Sequence, residues 1–143
     1  MTEETKKRVI HRGNSVISIE KVEKYPQPVV IKKPAKHHVS HRNLRALEKE
    51  YELTCSLGAV DGVRKVLERQ LIENQPALIL EYIDGETLRK HIRGETLSLR
   101  AKLEISVDLT RILDNIHQHN VIHLDLNSKN ILIGNKQGAI HII

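Results

Sequence analysis

Between Val121 and Ile133 the sequence reads VIHLDLNSKNILI, two apolar runs enclosing a polar stretch that carries His123, Asp125 and Asn130. Short runs rich in Val, Ile and Leu read as buried strands, and the polar residues between them then belong to a connecting loop. A strand rising into the loop and a second descending from it would present one carboxylate and one carboxamide, from positions 125 and 130, at a single strand end. That arrangement constrains everything upstream, which has to supply a core for two buried strands and a reason for the polar loop.

The upstream chain alternates β-prone runs with helical periodicity. Residues 1–8 are polar and expected to be frayed. Val9-Ile10 and Val16–Ile19 flank His11-Arg12-Gly13-Asn14 and predict a hairpin. Pro26-Gln27-Pro28 breaks the chain before Val29-Val30-Ile31-Lys32, a β-branched run that ends in lysine. From Ser40 to Leu57 apolar residues recur at Leu44, Leu47, Tyr51 and Leu57, predicting a helix with Ser40 as its cap and Gly58 beyond its end. Val63–Ile72 is read as a strand, Glu73–Pro76 as a turn, and Ala77–Tyr82 as a buried strand. This makes five strands and one helix before residue 83. Glu86–Ile92 then predicts a short helix closed by Gly94, and Ser98 caps a longer one running to about Asn120. Its apolar face is Leu99, Leu103, Ile105, Leu109, Ile112 and Ile116.

Composition narrows the function classes. With three Tyr and neither Phe nor Trp, the core must be aliphatic, and stacking platforms for single-stranded nucleic acid are missing. The net charge of +5 is concentrated between Lys32 and Arg45 and reads as a solvated loop and helix face, so no nucleic-acid partner is expected. His37, His38 and His41 in the same stretch lack accompanying ligands at metal-site spacing and read as a polar loop. The single cysteine, Cys55, permits no internal disulfide and is expected to be a small core residue. No run approaches the ~20 apolar residues of a membrane span, and the expected location is cytoplasmic.

In this order the segments resemble a protein-kinase domain over residues 9–143. His123-Leu124-Asp125 followed by Asn130 is similar to the HRDLxxxxN catalytic loop, Val29–Lys32 to the VAIK strand, Lys-Glu-Tyr-Glu-Leu at 49–53 to the glutamate helix, and ALILEYIDGETL to the hinge. The style is that of bacterial Ser/Thr kinases. The resemblance implies an α+β fold: residues 9–82 as an antiparallel five-stranded small lobe with its αC helix, and residues 83–143 as the hinge, first helices and catalytic loop of an incomplete large lobe. It implies ATP and Mg2+ as ligands and transfer of the γ-phosphoryl group to a protein Ser/Thr hydroxyl. Asp125 would be the base, Asn130 a magnesium ligand, and Lys32 the phosphate-binding lysine fixed by Glu50, with Glu48 and Glu52 of the same helix as competitors for that place. Leu80 would be the gatekeeper, the Glu81 and Ile83 backbone would meet the adenine edge, Thr87 would lie near the ribose, and Gly13 is what remains of the glycine-rich loop.

Two departures in the loop matter. Leu124 stands where the family has arginine, which implies no phosphorylation-gated pairing there, and Asn127 stands where it has the lysine that neutralises the transferred group. Lys129 is in place to take over that role or to be a solvated lysine. By the resemblance the DFG aspartate belongs just after Ile143, so the chain is read as a domain truncated before that motif. Its implied partners are ATP and either a protein substrate or the missing C-terminal portion of the kinase. The alternative is a non-catalytic, pseudokinase-like module that binds nucleotide or a partner.

Overall fold

The computed structural model describes residues 7–36, 40–95, 97–136 and 138–143. Two compact units emerge, one formed by the chain up to Cys55 together with Lys65–Tyr82, the other by Ser56–Arg64 together with Ile83–Ile143.

The first unit is built on one antiparallel sheet whose spatial order is β1-β2-β3-β5-β4. Its strands are β1 (Arg8–Arg12), β2 (Ser15–Glu20), β3 (Val29–Pro34), β4 (Val66–Ile72) and β5 (Gln75–Glu81), with α1 (His41–Ser56) between β3 and β4. Strands β3 and β5 run through the middle with both faces covered, which is why they read as unbroken apolar runs rather than alternating ones. Ala77, Leu78 and Ile79 are completely buried. Val29, Ile31, Ala77 and Ile79 pack on one face with Val22, Tyr25 and Ile72. Val30, Leu78 and Leu80 pack on the other with Leu47 and Tyr51 of α1. Lys32 pairs in register with Leu78 and so shares the α1 face, because side chains two apart on a strand lie on the same side. Lys33 consequently faces the other way; it is almost buried and its Nζ lies 2.8 Å from Glu73 Oε2.

Local chemistry accounts for the boundaries. Ser40 Oγ accepts from the Asn43 amide at 3.2 Å and caps α1, as its sequence position predicts. The β4–β5 turn is tighter than the expected four residues. Only Glu73 and Asn74, both with positive φ (52° and 61°), lie outside the pairing, and Gln75 and Pro76 already belong to β5. Two left-handed residues give a turn whose twist matches that of the flanking strands. Pro76 lies before the stretch where β5 pairs with β3, a place where a strand tolerates a missing amide. Lys7 and Arg8, which fall within the stretch expected to be frayed, are engaged: Lys7 pairs with Glu20 and Arg8 pairs in register with Ile19. Residues 1–6 lie outside the described set. Cys55 is exposed rather than in the core, because the covered stripe of α1 runs through Leu44, Leu47 and Tyr51 and ends before position 55.

The second unit has β6 (Gly85–Thr87), α2 (Leu88–Arg93), α3 (Leu99–Gln118), β7 (Ile131–Gly134) and β8 (Ile140–Ile142), the strands in the order β6-β7-β8. Strand β6 is not apparent in the sequence. It forms where Gly85 lies so close to β7 that a Cβ there would sit 2.4 Å from the Ile133 carbonyl oxygen. The short helix therefore begins at Leu88, with Thr87 as cap, instead of at Glu86. Val63, expected in the fourth strand, is instead bridged in parallel to Ile142; the Gly62 carbonyl accepts from the Ile142 amide at 2.7 Å, and the Arg64 amide donates to the Ile142 carbonyl at 2.9 Å. The core is entirely aliphatic: Leu57, Val60, Ile112, Ile116, Ile131, Ile133, Ile140 and Ile142.

Ser98 caps α3, its Oγ accepting from the Ala101 amide at 3.2 Å. Of the six apolar residues expected on its face, only Ile112 and Ile116 are buried, while Leu99 and Leu103 are exposed at 74% and 60%. Within this unit only the last two turns of the helix are fully covered, so the N-terminal half of its stripe, extended by Val107, faces out and borders a shallow groove. No helix among the described residues is long and apolar enough to cross a membrane.

Candidate active site

In the first unit, the residue expected to hold phosphates meets the residue expected to fix it. Lys32 Nζ lies 2.6 Å from Glu50 Oε2 and 2.8 Å from Oε1, so both carboxylate oxygens accept from one ammonium. Position explains the choice among neighbouring acids. Glu48 pairs with Arg69 of β4, and Glu50 is the acid that α1 brings over the Lys32 face of β3. The side chains keep 24% and 36% of their exposure, so the pair stays within reach of solvent and of a ligand.

The second unit carries the polar loop. Val121–Leu124 does not form the expected ascending strand; the regular strand is β7, after the loop. The approach instead closes in a three-residue turn, the Asp125 amide donating to the His123 carbonyl at 2.8 Å across Leu124, whose φ is +61°. Leu124 has no local reason to favour a left-handed conformation, and its side chain is 90% exposed. A residue held this way marks a backbone determined by its surroundings. Sequence carries no signal for it, since Leu is not among the residues that favour positive φ.

Asn130 donates through Nδ2 to the Asp125 carbonyl oxygen at 2.9 Å and to its Oδ2 at 3.0 Å. The amide nitrogen is therefore turned toward Asp125, and among the described residues no hydrogen bond reaches Asn130 Oδ1, a hard oxygen suited to Mg2+. The Asn130 backbone is fixed independently, its amide donating to the Asn127 carbonyl at 2.9 Å and its carbonyl accepting from Ile143 at 2.9 Å. From the sequence, Asn127 stands out only as an absent lysine. In the fold it donates to Asp125 Oδ1 at 3.1 Å and to the Asp125 carbonyl at 3.0 Å, while its own Oδ1 accepts from the Lys129 amide at 2.9 Å. An Asn two residues after an Asp in a turn is the available signal for such bonding.

The remaining candidates are placed as follows. Gly13 sits in the β1–β2 turn, its amide donating to the Ser15 carbonyl at 3.1 Å, with the His11 ring packed over it. Leu80 is buried against Val30 and Leu47. The Glu81 amide donates to the Lys65 carbonyl at 2.9 Å, and Ile83 is buried. The Thr87 hydroxyl is engaged as the α2 cap, accepting from the Lys90 amide. Lys129 is exposed on the loop. His41 opens α1, whereas His37 and His38 lie outside the described residues, and no metal-holding group of His, Cys, Asp and Glu occurs among the described ones.

The profile of the family described as protein tyrosine and serine/threonine kinase matches residues 8–142, almost the entire chain. The chain belongs to that kinase family. The curated relatives it resembles include the serine/threonine-protein kinase PknB of Mycolicibacterium smegmatis, 35% identical over 69 residues. Another is calmodulin-binding receptor-like cytoplasmic kinase 1 of Arabidopsis thaliana, 33% identical over 72 residues. The matched segments are 48% and 46% of this chain but only 11% and 15% of those proteins, so the chain spans a small part of their length. Among solved structures, the kinase domain of Mycobacterium tuberculosis PknI superposes with a TM-score of 0.73 at 18% identity, covering 94% of this chain and 55% of that one. At that identity the likeness concerns the fold, and it agrees with an incomplete kinase fold of the kind expected from sequence.

Proposed function

We propose that this kinase-family chain carries the nucleotide-handling residues of a protein Ser/Thr kinase, binding Mg-ATP and transferring the γ-phosphoryl group to a protein hydroxyl. The observation that carries the reading is the mutual arrangement of Asp125 and Asn130. The amide of Asn130 orients the Asp125 carboxylate and leaves its own oxygen outward. Asp125 would accept the proton of the attacking hydroxyl, and Lys32, held by Glu50, would bind the α and β phosphates. Magnesium, when bound, neutralises charge on the phosphates. Asn130 Oδ1 would be one of the oxygens to hold such an ion. Lys129 supplies the cation that Asn127 does not, and the Glu81 and Ile83 backbone, with Leu80, Thr87 and Gly13, would contact the nucleotide. An exposed lone thiol, Cys55, suits a reducing, cytoplasmic setting.

A second reading has its own observation. The outward stripe Leu99, Leu103 and Val107 favours a non-catalytic module that binds nucleotide and docks a partner. Mg-ATP binding and phosphotransfer onto a Ser/Thr peptide mixture separate the two. Turnover that Asp125→Asn lowers by roughly 100-fold or more, the scale of general-base loss, supports the kinase. Nucleotide binding without turnover supports the module, and absence of both refutes the nucleotide reading altogether.

A further inference from the structure

The position that departs from the family's lysine does more than lack a charge. Asn127 makes three hydrogen bonds within six residues: two from Nδ2 to the carbonyl and Oδ1 of Asp125, and one accepted by Oδ1 from the Lys129 amide. Asn130 holds the other carboxylate oxygen, Oδ2. Both oxygens of Asp125 thus accept from side-chain amides, Oδ1 from Asn127 and Oδ2 from Asn130. A lysine at 127, with donors only, would be unable to accept from the Lys129 amide.

We propose that Asn127 is a positioning residue that sets Asp125 and Lys129 relative to one another, its amide nitrogen orienting the carboxylate and its amide oxygen fixing the backbone from which Lys129 projects. This inference rests on the proposed kinase reading for its consequence but not for its geometry. The loop backbone is braced independently of this side chain, by the Asn127 carbonyl accepting from the Asn130 amide and by the Ser128 carbonyl accepting from the Arg89 amide, both at 2.9 Å. Changing the side chain at 127 therefore alters the two contacts without undoing the loop. A charged carboxylate raises the value of the Asn127 contact above that of a neutral hydrogen bond.

Two variants separate the two halves of the role. Asn127→Ala removes both, while Asn127→Asp keeps an acceptor for the Lys129 amide and removes the donor to Asp125. Backbone amide exchange and the carboxyl 13C resonance of Asp125 are read by NMR on the whole chain. Exchange at the Lys129 amide is expected to accelerate about tenfold in Asn127→Ala, the usual scale for one lost hydrogen bond, and to stay near wild type in Asn127→Asp. The Asp125 carboxyl resonance should move in both variants. Where the wild type turns over, kcat should fall at least about tenfold in both with the KM for ATP unchanged. Unchanged Lys129 exchange in Asn127→Ala, or an unmoved Asp125 resonance in both variants, overturns the proposal. A wild type that neither binds nor turns over nucleotide sinks the kinase reading alone, because the exchange and resonance measurements still decide the role of Asn127.

Discussion

Gly62 is a place where the second unit leaves almost no room for a side chain. Its φ is +82°, and a Cβ there would lie 2.4 Å from Ile112 Cδ1, 2.7 Å from Ile112 Cγ1 and 3.2 Å from the Ile140 carbonyl oxygen. Ile112 cannot simply swing aside, since it is buried among Leu57, Val60, Ile116 and the β7 and β8 isoleucines. The cost of Gly62→Ala has two parts. An L-residue held in the left-handed region costs ~1–2 kcal/mol, and the reduced freedom of the unfolded chain offsets ~0.4–1 of that. Overpacking a filled core adds ~1–3 kcal/mol, for a total of about 2–4. Gly138 supplies the control: its φ is +63°, yet a Cβ there meets nothing within 4 Å. Gly138→Ala should therefore cost only the backbone share, about 1 kcal/mol. Urea denaturation followed by far-UV circular dichroism measures both. Ile112→Val removes the Cδ1 atom that the new Cβ strikes. It should cost ~0.5–1.5 kcal/mol in the wild type and much less, or nothing, in the Gly62→Ala background. If Gly62→Ala proves no worse than Gly138→Ala, or Ile112→Val keeps its full cost in both backgrounds, the packing argument is wrong.

Glu50→Gln should separate function from stability: the Lys32 pair is partly exposed, so its loss should cost below ~1 kcal/mol in a denaturation midpoint, while under the proposed kinase function any phosphotransfer should fall by well over tenfold. A large loss of stability with unchanged turnover would contradict this. Acid should weaken the first unit. Hydrogen bonds from Lys24 to Glu68 and from Lys33 to Glu73 hold both carboxyls below the ordinary value of 4.5. Their stabilisation is thus complete above that value and is lost as pH falls through the lowered folded-state values. Denaturation midpoints measured from neutral to acid pH should decline less steeply in Glu73→Gln than in the wild type, and identical profiles would remove Glu73 from the account.

The parts legible in the sequence were those written in local chemistry. Ser40 and Ser98 announce helix starts because a hydroxyl can serve the first free amides, and both do so. Val29–Ile31 and Ala77–Leu80 announce central strands because only a strand covered on both faces can be continuously apolar. The order of those elements with His123, Asp125 and Asn130 was enough to indicate a kinase domain, and the family match over 8–142 agrees.

Tertiary structure decided what depends on partners distant in sequence. It chose Glu50 over Glu48 for Lys32, because register across β3 and β5 puts Lys32 on the α1 face while Arg69 of β4 takes Glu48. It created β6 from the approach of Gly85 to β7, and it drew Val63 to Ile142, some eighty residues away by the numbering, instead of into β4. It left Cys55 and the first half of the α3 stripe exposed, since periodicity says which residues share a face and not how far along the helix that face is covered. It also turned Asn127 from a missing lysine into a brace for Asp125 and Lys129. Amphipathicity, capping and strand character are properties of neighbouring residues, and a chain carries them by itself. Which acid meets which base, and which apolar face finds a cover, is set only when remote segments compete for the same space.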